Sequence, residues 1–451
     1  MADVSSRELV LDMLLMVDRQ EAYSHQIIKD VLDKYDYLSG QEKAFIKRLF
    51  EGTLERRIEL DYKINLVSSV PVKKMKPLIR NVLRMGAYQI LYMDSVPDSA
   101  AANEAVKLAA KRKFHNLKGF VNAILRKISA EGDKLMAPEE DVAPKEYLEV
   151  TYSMPEWIVD HFLRQYSYKK TKKILAGLME VRPVTIRFAS TVSKEEQDAY
   201  ITEYQKAGIK VSNHPYVKEA YYLEGCENLA SLSGHNEGAF TVQDASSMLA
   251  VKAAGIKPGD KVLDVCAAPG GKTMLAAEYA TEKGFVEARD VSDAKVMLIE
   301  ENISRMGLFN VETKVWDATE IDLEKVEWAD VVIADVPCSG LGVMGKKRDI
   351  KYRQKEESLK ELNLLQKEIV KSAYSYVKVG GTFLYSTCTI NKEENEDMVS
   401  YICSECGAEC VTVAEYVEGM PQIETAAEGY MQLLPGIHDT DGFFFAKFRK
   451  Q

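Results

Sequence analysis

The stretch that decides the fold is Lys261–Thr273, with the sequence KVLDVCAAPGGKT. It opens with an apolar, β-branched run of the kind that forms a buried parallel strand, and its small residues then lead towards a helix. Two glycines at such a strand-to-helix turn let a ligand approach the backbone amides. The stretch therefore predicts a ligand-binding turn at the carboxyl end of a strand in an open α/β sheet.

Two common nucleotide-binding motifs resemble this turn without matching it. A P-loop ends in Gly-Lys-Thr, as Gly271–Thr273 does, but it requires a glycine where this chain has Cys266. A dinucleotide-binding G-x-G-x-x-G is also absent. The turn is therefore expected to bind a different ligand from those that these motifs bind.

Acidic residues follow the next strands of the predicted sheet. Asp290 ends the run Phe285–Arg289, 26 residues after Asp264, where an acid typically binds ribose hydroxyls. Asp317 follows a third run, Val311–Val315, and offers a carboxylate to an adenine amino group. Any one of these acids could be a solvated helix cap, but three at successive strand ends favour a cofactor site.

Two cysteines, 50 residues apart, follow similar apolar runs. Cys338 lies in Ala334–Ser339 (ADVPCS) and Cys388 in Tyr385–Thr389 (YSTCT). Because neighbouring parallel strands end at one edge of an open sheet, both thiols are expected at its ligand-binding mouth. Either thiol alone is compatible with a buried structural role. The pair, with Asp335–Pro337 before the first, favours covalent catalysis, with one nucleophile and one group that helps to break the bond.

Length and composition set the class of protein. A chain of 451 residues is too long for one core and suggests two or three domains. No apolar run reaches about 18 residues, so no membrane span is expected. Residues 1–7 lack the features of a signal peptide. Seven cysteines in such a chain predict reduced thiols and a cytoplasmic location.

Charge is distributed unevenly along the chain. The net charge is −10, yet residues 1–130 carry 22 lysines and arginines against 16 aspartates and glutamates. This excess suggests binding to a polyanion, although a solvated charged surface explains it equally well. The basic stretch Lys111–Lys118 contains an aromatic residue, which suits phosphate contact and base stacking. The RNA-binding candidates within it are Lys111, Arg112, Lys113 and Lys118.

The hydrophobic pattern predicts a multidomain protein. Residues 1–130 carry apolar stripes at helical spacing and predict an all-α bundle. A polar linker over 130–141 precedes a small α+β module over 146–235, and residues 236–451 alternate strands with helices as a doubly wound α/β domain does. In the small module we expect helices over 155–166 and up to Met179, strands over 184–188 and 209–211, and a helix over 194–206 between those strands.

A third group of cysteines needs a separate interpretation. Cys403, Cys406 and Cys410 form C-x2-C-x3-C, which suggests a metal or an iron–sulfur cluster. The same spacing is also that of one helix face, and no fourth ligand lies nearby in sequence, so a buried helix face is the prediction. The six histidines show no zinc-binding spacing, and no metal is expected.

In combination, these motifs resemble the S-adenosylmethionine-dependent RNA cytosine-C5 methyltransferases. The resemblance depends on the turn Asp264–Thr273, the two cysteine motifs and the run Asn391–Asn395. Weaker similarity covers Phe240–Ser247 and Gly442–Ala446. The sequence departs from the family in two places: Val336 replaces the usual alanine, and Arg289 directly precedes the ribose-binding acid.

The helical segment resembles the antitermination factor NusB. The runs Val82–Ile90 and Gly119–Arg126 are the basis of this similarity. A NusB-like bundle ahead of such a catalytic domain is similar to the bacterial small-subunit ribosomal RNA methyltransferases of the Sun (Fmu) family. The resemblance implies a Rossmann-like methyltransferase fold, S-adenosyl-L-methionine as cofactor, 16S ribosomal RNA as partner and a monomeric chain.

The resemblance also implies roles for particular residues. Cys388 is the expected nucleophile towards cytosine C6, Cys338 supports proton removal and release, and Asp335 lies at the base edge. DNA enzymes of similar chemistry use the Pro-Cys thiol instead, which leaves the reversed assignment of the two cysteines open. The cofactor-binding residues implied are Cys266, Ala267, Ala268, Pro269, Gly270, Gly271, Lys272, Asp290, Asp317 and Asp335.

Alternative functions remain at this point. One is the same chemistry on transfer RNA or on another ribosomal RNA site. The other belongs to a different class: a non-catalytic RNA-binding factor in ribosome assembly. Intact Asp335, Cys338 and Cys388 argue against the second, because an inactive domain has no need of both thiols.

Overall fold

The computed structural model describes residues 5–226 and 228–451. The chain forms two compact units. The helical unit comprises the residues up to Met179 together with 344–354, and the sheet unit comprises 180–343 and 355–451. The segment 344–354 is therefore an insertion in the sequence of the sheet unit that packs with the helical unit.

The helical unit is built from amphipathic helices, as the apolar stripes predict. Ser39 starts α3 through a capping box with Glu42, and Pro77 occupies the first turn of α5. Gly52 lets α3 and α5 pack closely, because a Cβ there would lie 2.0 Å from the Tyr88 ring. The helices are α1 Ser6–Asp18, α2 Ser24–Lys34, α3 Gly40–Glu55, α4 Arg57–Val67, α5 Pro77–Tyr92, α6 Asp98–Lys111, α7 Lys118–Glu131, α8 Pro144–Thr151, α9 Glu156–Gln165 and α10 Tyr168–Met179.

The helical prediction for the amino-terminal segment is confirmed over residues 5–130, the part that the structure describes. The helices expected over 155–166 and up to Met179 correspond to α9 and α10, which pack within the helical unit. The division into domains over 1–130, 146–235 and 236–451 remains a prediction.

The inserted segment 344–354 is anchored to the helical unit by buried polar groups. Asp349 is fully buried, and its carboxylate accepts hydrogen bonds from the backbone amide of Ser24 (3.0 Å) and from its hydroxyl (2.5 Å). This carboxylate lies at the start of α2, where an anion satisfies unpaired amides. A short helix, α15 (Ile350–Arg353), follows.

Lys351, on α15, is also buried. Its ammonium donates to the carbonyls of Glu55 and Ser153, both at 2.7 Å. Burial lowers the pKa of Lys351 to about 7. The neighbouring Tyr352 hydroxyl donates to the carbonyl of Leu54 at 2.8 Å. The insertion thus satisfies backbone groups at the end of α3 and after α8.

The first sheet of the sheet unit has four strands, β1 Val184–Phe188, β2 Lys210–Asn213, β3 Ala220–Glu224 and β4 Phe240–Val242, with one helix, α11 Lys194–Lys206. Its order is β2-β3-β1-β4, and every pairing is antiparallel. The predicted β1 and α11 are confirmed, and β2 begins one residue later than expected. The sequence analysis missed β3, and it did not foresee that β4 pairs with β1.

The second sheet has eight strands, in the order β10-β12-β9-β8-β5-β6-β7 with β11 paired to β12. Strands β5 to β9 are parallel and β12 runs antiparallel to β9, which confirms a Rossmann-like α/β fold with a mixed sheet. The strands are β5 Lys261–Asp264, β6 Phe285–Asp290, β7 Val311–Val315, β8 Ala329–Asp335, β9 Val377–Thr387, β10 Ala408–Cys410, β11 Tyr430–Leu433 and β12 Phe443–Lys450. The helices are α12 Ala245–Ala254, α13 Gly271–Ala280, α14 Asp293–Met306, α16 Glu356–Ser375 and α17 Glu396–Cys406.

Strand order reverses direction at the β5–β8 pair, which is the topological switch point of the sheet. In open α/β sheets ligands bind in the crevice at that point, beyond the carboxyl ends of the strands. The turn after β5 and the cysteine after β8 both lie there. Within the described residues, no helix has the length and hydropathy needed to span a membrane.

Candidate active site

The structure brings the two predicted catalytic cysteines together. Strands β8 and β9 are adjacent and parallel, with Asp335 opposite Ser386 in the register. Cys338 follows the end of β8 and Cys388 the end of β9, and their sulfur atoms lie 3.3 Å apart, within hydrogen-bond distance. Both thiols are partly buried and neither is part of a disulfide. Two reduced sulfur atoms therefore lie side by side beyond the carboxyl ends of β8 and β9.

The electrostatic surroundings of Cys338 are unfavourable for a thiolate. The hydrogen bond with Cys388, burial, and the negative charge of Glu394 raise the pKa of the Cys338 thiol well above its ordinary value. Cys338 is therefore held as a protonated thiol at neutral pH.

Lys272 lies close enough to Cys388 for the two charges to interact. Its ammonium forms an ion pair with Asp335 at 2.6 Å. Burial lowers its pKa, but the charges of Asp335, Asp264 and Cys388 outweigh burial and raise the pKa of Lys272 overall. A cation fixed here stabilises negative charge on the Cys388 sulfur.

Asp335 joins the two cysteine strands through its carboxylate. One oxygen accepts the hydrogen bond from Lys272, and the other accepts one from the Ser386 hydroxyl at 2.8 Å. About a quarter of the side chain remains exposed (28%). Asp335 is thus oriented by two partners and still accessible to a ligand.

The turn after β5 runs from Val265 to Gly270 and ends where α13 begins. Gly270 has φ +103°, a left-handed conformation that favours glycine. Asp290, at the end of β6, accepts a hydrogen bond from the amide of Ala268 at 2.9 Å and pairs with Lys295. Asp290, at the end of β6, therefore anchors the predicted ligand-binding turn.

Cys266 lies within the electrostatic reach of three acidic side chains. Burial and the charges of Asp264, Asp290 and Asp335 raise the pKa of its thiol well above the ordinary value. These three carboxylates therefore lie close enough to act on one side chain. Two of the three are also paired with lysines, Asp335 with Lys272 and Asp290 with Lys295.

Asp264 is the most deeply buried of these acids. One oxygen accepts a hydrogen bond from the Thr273 hydroxyl at 2.7 Å, and the other is buried with no hydrogen bond of standard geometry from a described residue. Burial raises the pKa of Asp264 to about 7, against the effects of Thr273 and Lys272. A buried acceptor without a donor is the kind of group that a bound ligand satisfies.

The side chains of Asp317 and Arg289 make no contact with the turn after β5 among the described hydrogen bonds and ion pairs. The carboxylate of Asp317 accepts bonds from the amide and hydroxyl of Thr319 at an exposed turn, so its role towards a cofactor stays a prediction. Arg289 is buried and pairs with Glu287 and Asp322. Because side chains alternate along a strand, Arg289 points away from the side of β6 that Asp290 occupies. This accounts for its departure from the family pattern.

A buried carboxylate that the sequence analysis did not single out joins the two cysteine loops. Glu394 is fully buried, and its two oxygens accept bonds from the amide and hydroxyl of Ser339, from Gln366 and from Asn391. Its position in a polar run directly after the Cys388 motif is the one sequence signal that could have identified it.

The basic stretch is less available than its charge count indicates. Lys111 pairs with Glu8 at 2.6 Å, and Arg112 pairs with Asp12 at the same distance. Lys113 and Lys118 are exposed. Half of the predicted RNA-binding cations are thus partly neutralised by acids of α1.

The prediction that the third cysteine group forms one helix face is wrong for one member. Cys403 and Cys406 lie on α17, but Gly407 ends that helix with φ +65°, and Cys410 lies on β10. Over the described ranges 5–226 and 228–451, no three histidine, cysteine or acidic side chains form a group that could hold a metal ion.

Family models match most of the chain. The 16S rRNA methyltransferase RsmB/F model matches residues 252–449, the NusB family model matches 4–130, and the ferredoxin-like domain model of RsmF/B-like methyltransferases matches 154–229. These matches follow the order of the helical bundle, the four-stranded sheet and the eight-stranded sheet.

Curated relatives match over the whole length. The chain is 32% identical to the probable ribosomal RNA small subunit methyltransferase B of Bacillus subtilis, covering 100% of both chains. It is 30% identical to ribosomal RNA small subunit methyltransferase B of Citrobacter koseri, covering 92% of each.

Solved structures agree. The protein PH0851 superposes with a TM-score of 0.81 at 25% identity, covering 99% of each chain. A methyltransferase homolog from Pyrococcus horikoshii superposes with a TM-score of 0.57 at 26% identity, covering 67% of this chain and 98% of that one. The matches to the methyltransferase and NusB family models and to the curated relatives confirm the resemblance predicted from the sequence. The chain belongs to the ribosomal RNA small subunit methyltransferase B family.

Proposed function

We propose that this protein methylates C5 of a cytosine in 16S ribosomal RNA through a covalent adduct between Cys388 and C6, and so forms 5-methylcytidine. The observation that supports this most is the thiol pair, with its sulfur atoms 3.3 Å apart beside the ligand-binding turn. Cytosine C5 is a poor nucleophile. Addition of a thiolate at C6 places electron density on C5, which enables it to attack an electrophilic methyl group.

The electrostatic difference between the two cysteines supports Cys388 as the nucleophile. Cys338 is held protonated by its partner thiol, by burial and by Glu394, whereas Lys272 places a positive charge near Cys388. The Cys388 sulfur forms the bond to C6 and C5 takes the methyl group. Removal of the C5 proton then breaks the bond to sulfur and returns its electron pair to Cys388. Cys338 supports that last step.

Asp335 has the position and exposure to contact the base. Ser386 and Lys272 hold its carboxylate between the cysteine strands, and part of it remains accessible. We infer that it faces the N3 and amino edge of cytosine and stabilises a protonated N3. Lys272 fixes this orientation through its ion pair.

S-adenosyl-L-methionine supplies the electrophilic methyl group when it is bound. The residues around Cys266 fit this group, because a buried oxygen of Asp264 has no hydrogen bond of standard geometry from a described residue and part of the Asp335 carboxylate remains exposed. The turn from Cys266 to Gly271 and Lys272, with Asp290, Asp317 and Asp335, would hold it. In this assignment Asp290 binds the ribose and also fixes the turn through Ala268.

Bisulfite sequencing of total RNA from a deletion strain tests the reaction and the substrate together. We expect one small-subunit cytosine to become sensitive to deamination by bisulfite in the deletion strain. A plasmid with the intact gene should restore its protection from deamination. Loss of protection in transfer RNA or at another ribosomal RNA site would redirect the proposal to that substrate.

A strain that carries the Cys388→Ala variant separates catalysis from ribosome assembly. If this variant restores every growth and assembly defect of the deletion and no cytosine changes in any strain, the protein acts as a non-catalytic assembly factor. We expect no restoration of cytosine protection by the variant.

A further inference from the structure

Glu394 occupies the centre of a buried hydrogen-bond network behind the two cysteines. It lies in the turn Asn391–Asn395, and its side chain has no solvent exposure. One oxygen accepts from the Ser339 hydroxyl (2.5 Å) and from the Asn391 amide (3.0 Å). The other accepts from the Ser339 backbone amide and from Gln366, both at 2.9 Å. Four donors and no acceptor are the surroundings of an ionised carboxylate.

This network reaches the residue next to each cysteine. Ser339 follows Cys338 directly, and its hydroxyl also lies 2.7 Å from the hydroxyl of Thr389, which follows Cys388 directly. The distance between the two sulfur atoms is therefore fixed by groups that converge on one carboxylate.

Gln366 extends the network to α16. Its amide donates both to Glu394 and, at 3.0 Å, to the carbonyl of Pro337, the residue before Cys338. Cys338 is thus held from both of its peptide neighbours. The side-chain oxygen of Gln366 is buried without a partner among the described residues, so Gln366 holds the network through its nitrogen alone.

The titratable groups whose charges interact with Cys338 include Cys388, Glu394 and Tyr385, and Lys272 and Asp335 lie next to this group. Tyr385 is buried and donates its hydroxyl to the backbone carbonyl of Glu394 at 2.7 Å. Of Cys388, Glu394 and Tyr385, Glu394 is the group that carries a negative charge of its own, so its effect is to disfavour ionisation of Cys338.

We propose that Glu394 is a positioning residue that keeps Cys338 as a neutral S–H donor aimed at Cys388, and thereby serves release of the methylated base. This inference rests on the proposed function. In that step water takes the C5 proton, the C6–S bond breaks and its electron pair returns to Cys388. The S–H group of Cys338 hydrogen-bonds to the departing thiolate and stabilises it.

The test compares wild type, Glu394→Gln and Cys338→Ala in methylation of 16S ribosomal RNA fragments. Glu394→Gln should lower kcat at least tenfold and lower KM for RNA with it, so that kcat/KM changes less than threefold, because a slow release step after covalent addition reduces both constants. It should also accumulate a covalent RNA adduct on a denaturing gel, as Cys338→Ala does. The double variant should trap no more adduct than Cys338→Ala alone.

The matched control is Glu393→Gln, which removes a charge from the neighbouring, exposed residue. It should behave as wild type in every measurement. If Glu394→Gln does not fold, as judged by thermal melting, Gln366→Leu is the second variant. It removes the donor to Glu394 and to the Pro337 carbonyl, and it should trap a smaller amount of adduct. Loss of activity without adduct in the folded variants would overturn the proposal.

A second measurement needs no RNA. Alkylation of Cys338 by iodoacetamide at pH 8 is followed by peptide mass spectrometry in the Cys388→Ala background, where Cys388 does not compete, and should be at least twofold faster when Glu394→Gln is added. An unchanged rate refutes the electrostatic role of Glu394. If neither wild type nor Cys338→Ala ever forms an adduct while the alkylation rate still rises, the proposed reaction fails and the role of Glu394 stands.

Discussion

Two charged regions of this chain are built in opposite ways. Around Cys266, three acidic side chains act on one partly buried thiol. Asp335 and Asp290 are paired with lysines, but one buried oxygen of Asp264 has no hydrogen bond of standard geometry from a described residue. In the basic stretch Lys111–Lys118, two of the four candidate cations are paired with acids of α1. A charge that is buried without its full set of partners indicates a ligand, whereas an excess counted along the sequence does not.

The largest expected effect is at the thiol pair. Cys388→Ala should reduce methyl transfer to less than roughly a thousandth of wild type, about 4 kcal/mol in the activation free energy, because the covalent step is lost. Affinity for S-adenosylmethionine should change less than twofold by calorimetry. Cys338→Ala is the comparison: it should trap RNA instead. If Cys388→Ala traps RNA and Cys338→Ala does not, the two roles are reversed.

Asp290→Ala should weaken cofactor binding next most strongly. The side chain anchors Ala268 and is assigned to the ribose, so the loss should be about 2–4 kcal/mol, roughly 30- to 1,000-fold in Kd. Calorimetry with S-adenosylmethionine measures it. Asp293→Ala, an exposed acid three residues later, is the control and should bind normally. Equal affinities of the two variants would remove Asp290 from the site.

Asp264 should make cofactor binding depend on pH. Its pKa is raised to about 7, so it is mostly protonated below that value and gains a negative charge above it. A cationic cofactor should therefore bind more tightly as the pH rises from 6 to 8, by roughly three- to tenfold. Since the cofactor also titrates, the informative quantity is the difference from Asp264→Asn, which should show a flatter profile. Parallel profiles would contradict a titrating Asp264.

The basic stretch should give the smallest effect. Lys113 and Lys118 form no ion pair with a described residue, so neutralising both in the full chain should weaken RNA binding about two- to tenfold and reduce the salt slope. Neutralising Lys111 and Arg112 should matter less, because Glu8 and Asp12 already oppose their charge. Filter binding at several salt concentrations compares the pairs. A larger loss of RNA affinity on neutralising Lys111 and Arg112 than on neutralising Lys113 and Lys118 would contradict this prediction.

Features that a local residue pattern or a motif determines could be predicted from the sequence. Strand β1 and helix α11 have the predicted bounds, because alternation and a capping box at Ser193 mark them. The thiol pair could be predicted because two strand ends of one parallel sheet converge. In each case the information lies within a few residues of the feature itself.

Strand pairings and side-chain contacts between residues far apart in the sequence could not be predicted in this way. Strand β4 has three residues and belongs to the small sheet only because it pairs with β1, more than 50 residues earlier. Cys410 follows the helical spacing of Cys403 and Cys406, yet Gly407 turns the chain into a strand. The role of Glu394 appears only when Ser339, which is 55 residues away, is placed beside it.

The insertion 344–354 has a consequence for synthesis of the chain. The Ser24 amide that starts α2 is bound by Asp349, 325 positions later, and the carbonyls of Glu55 and Ser153 are bound by Lys351. The amino-terminal helices leave the ribosome first but lack these partners until residue 354 has been translated. Because such distant contacts form slowly, we expect the helical unit to complete its folding only after most of the sheet unit has been made.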